Sequence, residues 1–109
     1  MTTHNLAGMY KEIKRQDIIP IAASVLPFDS ATPDQSAQIQ RLNRWIKDAA
    51  DKLNIPYVDL HSVVADAQNA DRLNGSADGI HPDVGGYRQI GQALAKEIDR
   101  LESKGVLPR

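Results

Sequence analysis

Apolar residues recur every three to four positions in three stretches of the chain, with charged residues between them. This spacing predicts amphipathic helices over residues 4–15, 33–53 and 83–103. The middle helix has the clearest start, because Thr32 is a preferred N-cap, Pro33 suits the first helical position and Gln35 can close a capping box. Asn54-Ile55-Pro56 ends that helix, and Gly105 ends the last one.

Two further apolar runs are too short for helices and predict strands. Residues 17–26 form a nearly continuous apolar run rich in β-branched residues, and Tyr57-Val58-Asp59-Leu60 forms a shorter apolar run. Pro20 interrupts the first run, and since proline has no N–H to donate, we expect an edge, a bulge or an unpaired neighbour there. After a brief helical or irregular stretch to about Gln68, residues 69–83 are rich in turn formers and predict an exposed loop, with Asn74-Gly75 as a tight turn. The order helix, strand, helix, strand, helix is typical of part of a parallel α/β sheet.

The composition excludes several classes of function. A length of 109 residues allows one domain, residues 1–109, and 13 basic against 14 acidic residues leave no excess charge for binding a nucleic-acid backbone. The absence of cysteine excludes disulfides, thiolate metal sites and thiol catalysis. No apolar run approaches the roughly 20 residues of a membrane-spanning helix, and the first residues do not resemble a signal peptide. We therefore expect a soluble, cytoplasmic protein without a membrane partner.

The most informative motif is Asp78-Gly79-Ile80-His81-Pro82, just before the last predicted helix. An aspartate three residues before a histidine can accept the ring Nδ1–H, which leaves Nε2 free as a base. Gly79 permits a tight bend, and we expect Pro82 at or near the first helical position. The motif alone is also compatible with an aspartate that only caps the turn and a surface histidine without a function.

Together with Gly85-Gly86-Tyr87 and the following helix, this motif resembles the last sequence block of the GDSL, or SGNH, family of serine ester hydrolases. The upstream order of elements is similar to the C-terminal half of that family. The resemblance implies an α/β fold, a partial flavodoxin-like (SGNH hydrolase-type) three-layer arrangement with about two parallel strands and three to four helices. It also implies that Asp78 and His81 are the acid and base of a Ser-His-Asp triad acting on an ester substrate, without a metal or organic cofactor.

The same family carries a Gly-Asp-Ser nucleophile block, a glycine block and a Gly-x-Asn-Asp block, and none of the three occurs in this sequence. The resemblance therefore implies a truncated ester hydrolase that lacks its nucleophile and oxyanion hole and is inactive alone. Neither Ser76 nor His4-Asn5 is an obvious substitute, because the first sits among turn residues and the second at a helix start. The alternative is a noncatalytic oligomeric remnant or binding module that keeps only the fold.

The predicted strand 17–26 lacks the inner neighbour that the family implies. An uncovered edge invites association, so we expect either a homo-oligomer through strand 17–26 and helix 4–15 or a Ser-bearing N-terminal segment in trans. At the end of the second strand, Asp59 and His61 suggest a metal site, although a capping role for Asp59 and partial exposure of His61 fit better. We expect Trp45, on the middle helix, either to be partly buried in this chain or to contact another chain.

Overall fold

The computed structural model describes residues 2–106, and within them two parallel strands and four helices form an α/β arrangement. The elements in chain order are α1 (Thr2–Arg15), β1 (Ala22–Ala23), α2 (Pro33–Leu53), β2 (Tyr57–Val58), α3 (Leu60–Val64) and α4 (Val84–Ser103). In the sheet, Ala22 lies opposite Tyr57 and Ala23 opposite Val58. The predicted fold class is confirmed.

Local capping signals set the ends of the two long helices. The predicted capping box is present, since Thr32 Oγ1 accepts the Gln35 N–H at 3.1 Å and Gln35 Oε1 accepts the Thr32 N–H at 2.9 Å. At the other end of α2, Asn54 takes a left-handed conformation with φ 57°. Pro82 lies near the start of α4, as predicted, two residues before Val84, and the Asp83 carboxylate caps the helix by accepting the Gly86 N–H at 2.8 Å.

Both strands are shorter than predicted. The run 17–26 forms a strand only at Ala22–Ala23, because Asp17 turns the chain with φ 60°, Pro20 cannot donate, and the Asn43 side chain takes both backbone groups of Val25. The run 57–60 stops at Val58 because Asp59 becomes the N-cap of α3. The two strands therefore pair over two residues each.

The core lies mainly between α1, α2 and β1. Helix α1 packs on α2, α2 contacts β1, and α4 contacts α3 and β2. The buried cluster consists of Tyr10, Ala22, Ile46, Ala50 and Ile55, and the half-buried Trp45 packs against it. The radius of gyration is 14.9 Å, compared with about 13 Å for a compact domain of this length. The molecule is therefore flatter than a typical domain, with a shortest extent of 19 Å.

Within residues 2–106, no helix combines the length and the apolar character needed to cross a lipid bilayer.

Candidate active site

The loop between α3 and α4 brings Asp78 and His81 into direct contact. His81 Nδ1 lies 2.7 Å from Asp78 Oδ2. The other carboxylate oxygen, Oδ1, accepts the backbone N–H groups of Ile80 at 2.9 Å and of His81 at 2.8 Å. Since one carboxylate holds both the ring and the backbone of the histidine, the imidazole has a defined orientation.

Electrostatics favour an ionised Asp78. The hydrogen bond from the His81 side chain, and then the backbone N–H groups of His81 and Ile80, hold the pKa of the Asp78 carboxyl well below its usual range. An acceptor at Oδ2 requires the proton on Nδ1, so in the neutral imidazole Nε2 is the unprotonated nitrogen. Because 67% of the His81 side chain is exposed, Nε2 is accessible to a reacting group.

Ser76 shapes the turn of this loop. Its hydroxyl lies 3.1 Å from Asp78 Oδ1 and 2.5 Å from the carbonyl oxygen of His81, and it accepts the Gly79 N–H at 2.9 Å. These contacts are with the carboxylate and the backbone, and the ring of His81 is not among them. The interpretation of Ser76 as a turn residue therefore agrees with the structure.

Asp29, which follows β1 along the chain, anchors the loop and was missed in the sequence. Its N–H donates to the Gly79 carbonyl at 2.7 Å, and its Oδ1 accepts the Leu73 N–H at 2.9 Å. Gly79 has φ +77°, and a Cβ there would lie 3.1 Å from Asp29 Cβ. A side chain at this position would be strained by the positive φ, and Asp29 would have to shift by a few tenths of an ångström to admit it. The sequence indicated this role in one way: Asp29 follows the carboxyl end of a predicted parallel strand, and functional loops usually lie at that end of a parallel sheet.

A second polar cluster joins the carboxyl ends of the two strands. Ser24 is buried, and its hydroxyl donates to Asp59 Oδ1 at 2.9 Å and accepts the His61 N–H at 2.8 Å. Asp59 also accepts the backbone N–H and the hydroxyl of Ser62, at 3.2 and 2.6 Å. The capping role of Asp59 and the partial exposure of His61 are therefore confirmed.

The ionisation of Asp59 reflects two opposing effects. Burial raises the pKa of this carboxyl, but hydrogen bonds from Ser62 and Ser24 and the nearby His61 outweigh burial, so the pKa is lowered overall. Across the described part of the chain, His, Asp and Glu side chains do not converge in a group of three that could hold a metal ion.

Comparison with known proteins gives matches of three kinds, to a family model, to solved structures and to a multidomain esterase. A family model described as the GDSL-like lipase/acylhydrolase family matches residues 1–89, a range that includes Asp78 and His81. A GDSL-like lipase of known structure from Bacteroides thetaiotaomicron superposes with a TM-score of 0.79 at 28% identity, over 91% of this chain and 51% of its own. A multidomain esterase from Ruminococcus flavefaciens is 32% identical over 69 residues, which are 61% of this chain and 8% of that protein.

A structure from Bacteroides fragilis superposes similarly, with a TM-score of 0.76 at 27% identity over 91% of this chain and 50% of its own. The chain thus spans about half the length of the solved structures it matches.

Proposed function

We propose, from the premise that the chain belongs to the GDSL-like lipase/acylhydrolase family, that Asp78 and His81 are the acid and base of a Ser-His-Asp triad. The reaction is hydrolysis of a carboxylic ester or a thioester. The observation that carries the proposal is the 2.7 Å contact between His81 Nδ1 and Asp78 Oδ2, with Nε2 left accessible. This is the arrangement that general-base activation of a hydroxyl requires.

In the proposed mechanism, a serine hydroxyl attacks the carbonyl carbon of the substrate while His81 Nε2 takes the hydroxyl proton. The resulting imidazolium is stabilised by the Asp78 carboxylate, whose low pKa keeps it charged throughout. His81 then returns the proton to the leaving alcohol or thiol. Water releases the acid from the acyl-serine in a second, equivalent step. The scheme uses no metal ion or organic cofactor.

The nucleophile and the oxyanion hole belong, in this proposal, to a segment outside residues 1–109, either joined to them or separate. Two observations support this assignment: the sequence contains no Gly-Asp-Ser, and the chain spans about half of the solved neighbours. Loss of the nucleophile from a serine triad lowers kcat by about six orders of magnitude. We therefore expect the chain alone to be inactive.

The test is hydrolysis of p-nitrophenyl acetate and butyrate, with the chain alone and mixed with the remaining half of the Bacteroides thetaiotaomicron GDSL-like lipase. We expect background rates for each half and turnover for the mixture. His81→Ala should abolish this turnover and Asp78→Asn should reduce it strongly, since the amide no longer stabilises the imidazolium. His61→Ala is the matched control and should leave the rate unchanged.

Equal rates for the wild-type chain and His81→Ala in the mixture would overturn the catalytic assignment. That result would support the alternative that the chain is a noncatalytic module of the family.

A further inference from the structure

The turn between α3 and α4 pairs an exposed asparagine with a glycine. Asn74 is exposed, and Gly75 has φ +89°. The chain contains five asparagines, and Asn74 is the one that a glycine follows. Because glycine has no Cβ, its backbone nitrogen is unhindered and can approach the side chain of the preceding residue. Asparagine is a thermally labile residue, and a following glycine favours its loss of ammonia.

The fold restrains neither reacting group of this turn. Within residues 2–106, the side-chain amide of Asn74 makes no hydrogen bond, and the N–H of Gly75 donates to no acceptor. The bonds at this turn involve other atoms. The Asn74 N–H donates to the Val64 carbonyl at 2.8 Å, and the Gly75 carbonyl accepts the Asp83 N–H at 3.2 Å. The Gly75 nitrogen and the side-chain amide before it are therefore free to meet.

A second dipeptide of this kind, Asp78-Gly79, lies in the same loop and is held in place. The Gly79 N–H donates to the Ser76 hydroxyl at 2.9 Å. The Asp78 carboxylate is bound by the His81 ring and by backbone N–H groups, which keep it ionised, whereas ring closure requires a neutral carboxyl. The loop thus contains one blocked site, Asp78-Gly79, and one open site, Asn74-Gly75.

We infer that Asn74 is a site of spontaneous deamidation. The Gly75 nitrogen gives up its proton and bonds to Cγ of Asn74, while the bond from Cγ to Nδ2 breaks and ammonia leaves. Water then opens the cyclic imide at either of its two carbonyls, which yields aspartate or isoaspartate at position 74. The reaction needs water and no other reagent, and the inference is independent of the proposed function.

Isoaspartate at position 74 changes the backbone itself. It inserts a methylene into the main chain just before Gly75 and adds a negative charge there. Gly75 packs closely against Asp83, since a Cβ on Gly75 would lie 2.5 Å from Asp83 Oδ2. Asp83 in turn caps α4 by accepting the Gly86 N–H at 2.8 Å. The modification therefore loosens the start of α4.

Mass spectrometry of peptides from the aged chain tests the inference. The folded chain and the chain unfolded in urea are incubated at mildly alkaline pH, and electron-transfer fragmentation distinguishes aspartate from isoaspartate. The peptide that contains Asn74 should gain about 1 Da in both samples at similar rates, because the fold does not restrain the reacting groups. Asn69 is the internal control, since alanine follows it and its Oδ1 accepts the Asp71 N–H at 3.1 Å. It should stay intact in the folded chain.

The blocked site gives the opposite expectation. In a parallel incubation at mildly acidic pH, Asp78 should isomerise in urea, where its carboxyl becomes protonated and the Gly79 N–H is free. In the folded chain this isomerisation should be slower by about tenfold or more, because hydrogen bonds hold both groups.

Two variants separate the reaction from its consequence. Asn74→Gln would have to close a larger ring, so the gain in mass should be lost. Asn74→Asp, freshly prepared, carries the new charge without the added methylene. Amide exchange at Asp83 and Gly86 should be faster in the deamidated fraction, which ion exchange separates from the unmodified chain, than in Asn74→Asp.

Four outcomes would overturn the inference. The first is an Asn74 peptide that gains mass in urea but not in the folded chain. The second is an equal gain at Asn69 and Asn74 in the folded chain. The third is isomerisation of Asp78 at the same rate in both samples. The fourth is amide exchange at Asp83 and Gly86 that is no faster in the deamidated fraction than in Asn74→Asp.

Discussion

Replacing Ser24 with alanine tests whether one buried hydroxyl joins β1 to the start of α3. Ser24 is 6% exposed. Its hydroxyl donates to the Asp59 carboxylate and accepts the backbone N–H of His61, at 2.9 and 2.8 Å. Alanine removes both bonds and adds no atoms, so the change isolates the contribution of the hydroxyl.

The size of the effect follows from these two partners. A hydrogen bond to a charged group contributes about 1.5–3 kcal/mol, and a backbone N–H left without an acceptor costs about 1–3 kcal/mol when buried. Asp59 keeps its bonds from Ser62, and His61 is only half-buried, so both contributions lie near their lower ends. We expect a loss of about 2–3 kcal/mol in the free energy of unfolding, which lowers the Tm by about 10–15 °C.

The assay is urea unfolding followed by circular dichroism and by the fluorescence of Trp45. Ser30→Ala, at an exposed position in the loop after β1, is the matched control and should change the free energy of unfolding by less than about 0.5 kcal/mol. A double-mutant cycle with Asp59→Asn should give a coupling of about 1 kcal/mol. A loss for Ser24→Ala no larger than that of Ser30→Ala would refute the reasoning, and zero coupling would show that Asp59 is not the partner that matters.

Three further predictions follow from the glycines and aspartates around the loop. Gly86→Ala places a Cβ 2.7 Å from Pro82 Cβ and should lower the free energy of unfolding by about 1–3 kcal/mol. Gly91→Ala, whose Cβ would have nothing within 4 Å, should raise the free energy of unfolding by about 1 kcal/mol. Shifts of the same sign in thermal unfolding would contradict this prediction. Asp29→Ala removes the carboxylate that accepts the Leu73 N–H, so it should speed amide exchange across residues 73–81 and leave exchange in α2 unchanged. Unchanged exchange in the loop would be evidence that Asp29 does not anchor it. The lowered pKa of Asp78 gives stability that is present at pH values above the unfolded pKa of about 3.9 and is lost as the pH falls through the lower folded pKa. The urea concentration at the unfolding midpoint should therefore decrease as the pH is lowered below about 4, and it should decrease less steeply in Asp78→Asn. Parallel curves for the two proteins would count against the interaction.

The features that could be predicted from the sequence are those encoded within a few residues. The bounds of α2 follow from Thr32, Pro33 and Gln35 at its start and Asn54 at its end. The contact between Asp78 and His81 likewise joins residues three apart, with one glycine to permit the bend. In each case the atoms that determine the geometry lie inside the motif itself, so the pattern contains the necessary information.

The features that could not be predicted depend on residues distant in sequence. The strand over 17–26 was predicted too long because Asn43, 18 positions after Val25, takes the backbone groups that would extend it. The anchor from Asp29 to Leu73 spans 44 positions. Hydrophobic patterning shows which residues are apolar, but it does not show which backbone groups a distant amide or carboxylate will bind.

These distant contacts converge on one short connection, the segment between β1 and α2. Val25 receives the Asn43 amide, and Asp29, four residues later, holds the backbone of Gly79 in the loop that carries His81. The connection is therefore held at both of these points, and the second of them also fixes the backbone of the loop that carries the imidazole. Such placement matters for any proton transfer at His81, because misplacement by about 1 Å can cost two orders of magnitude in rate.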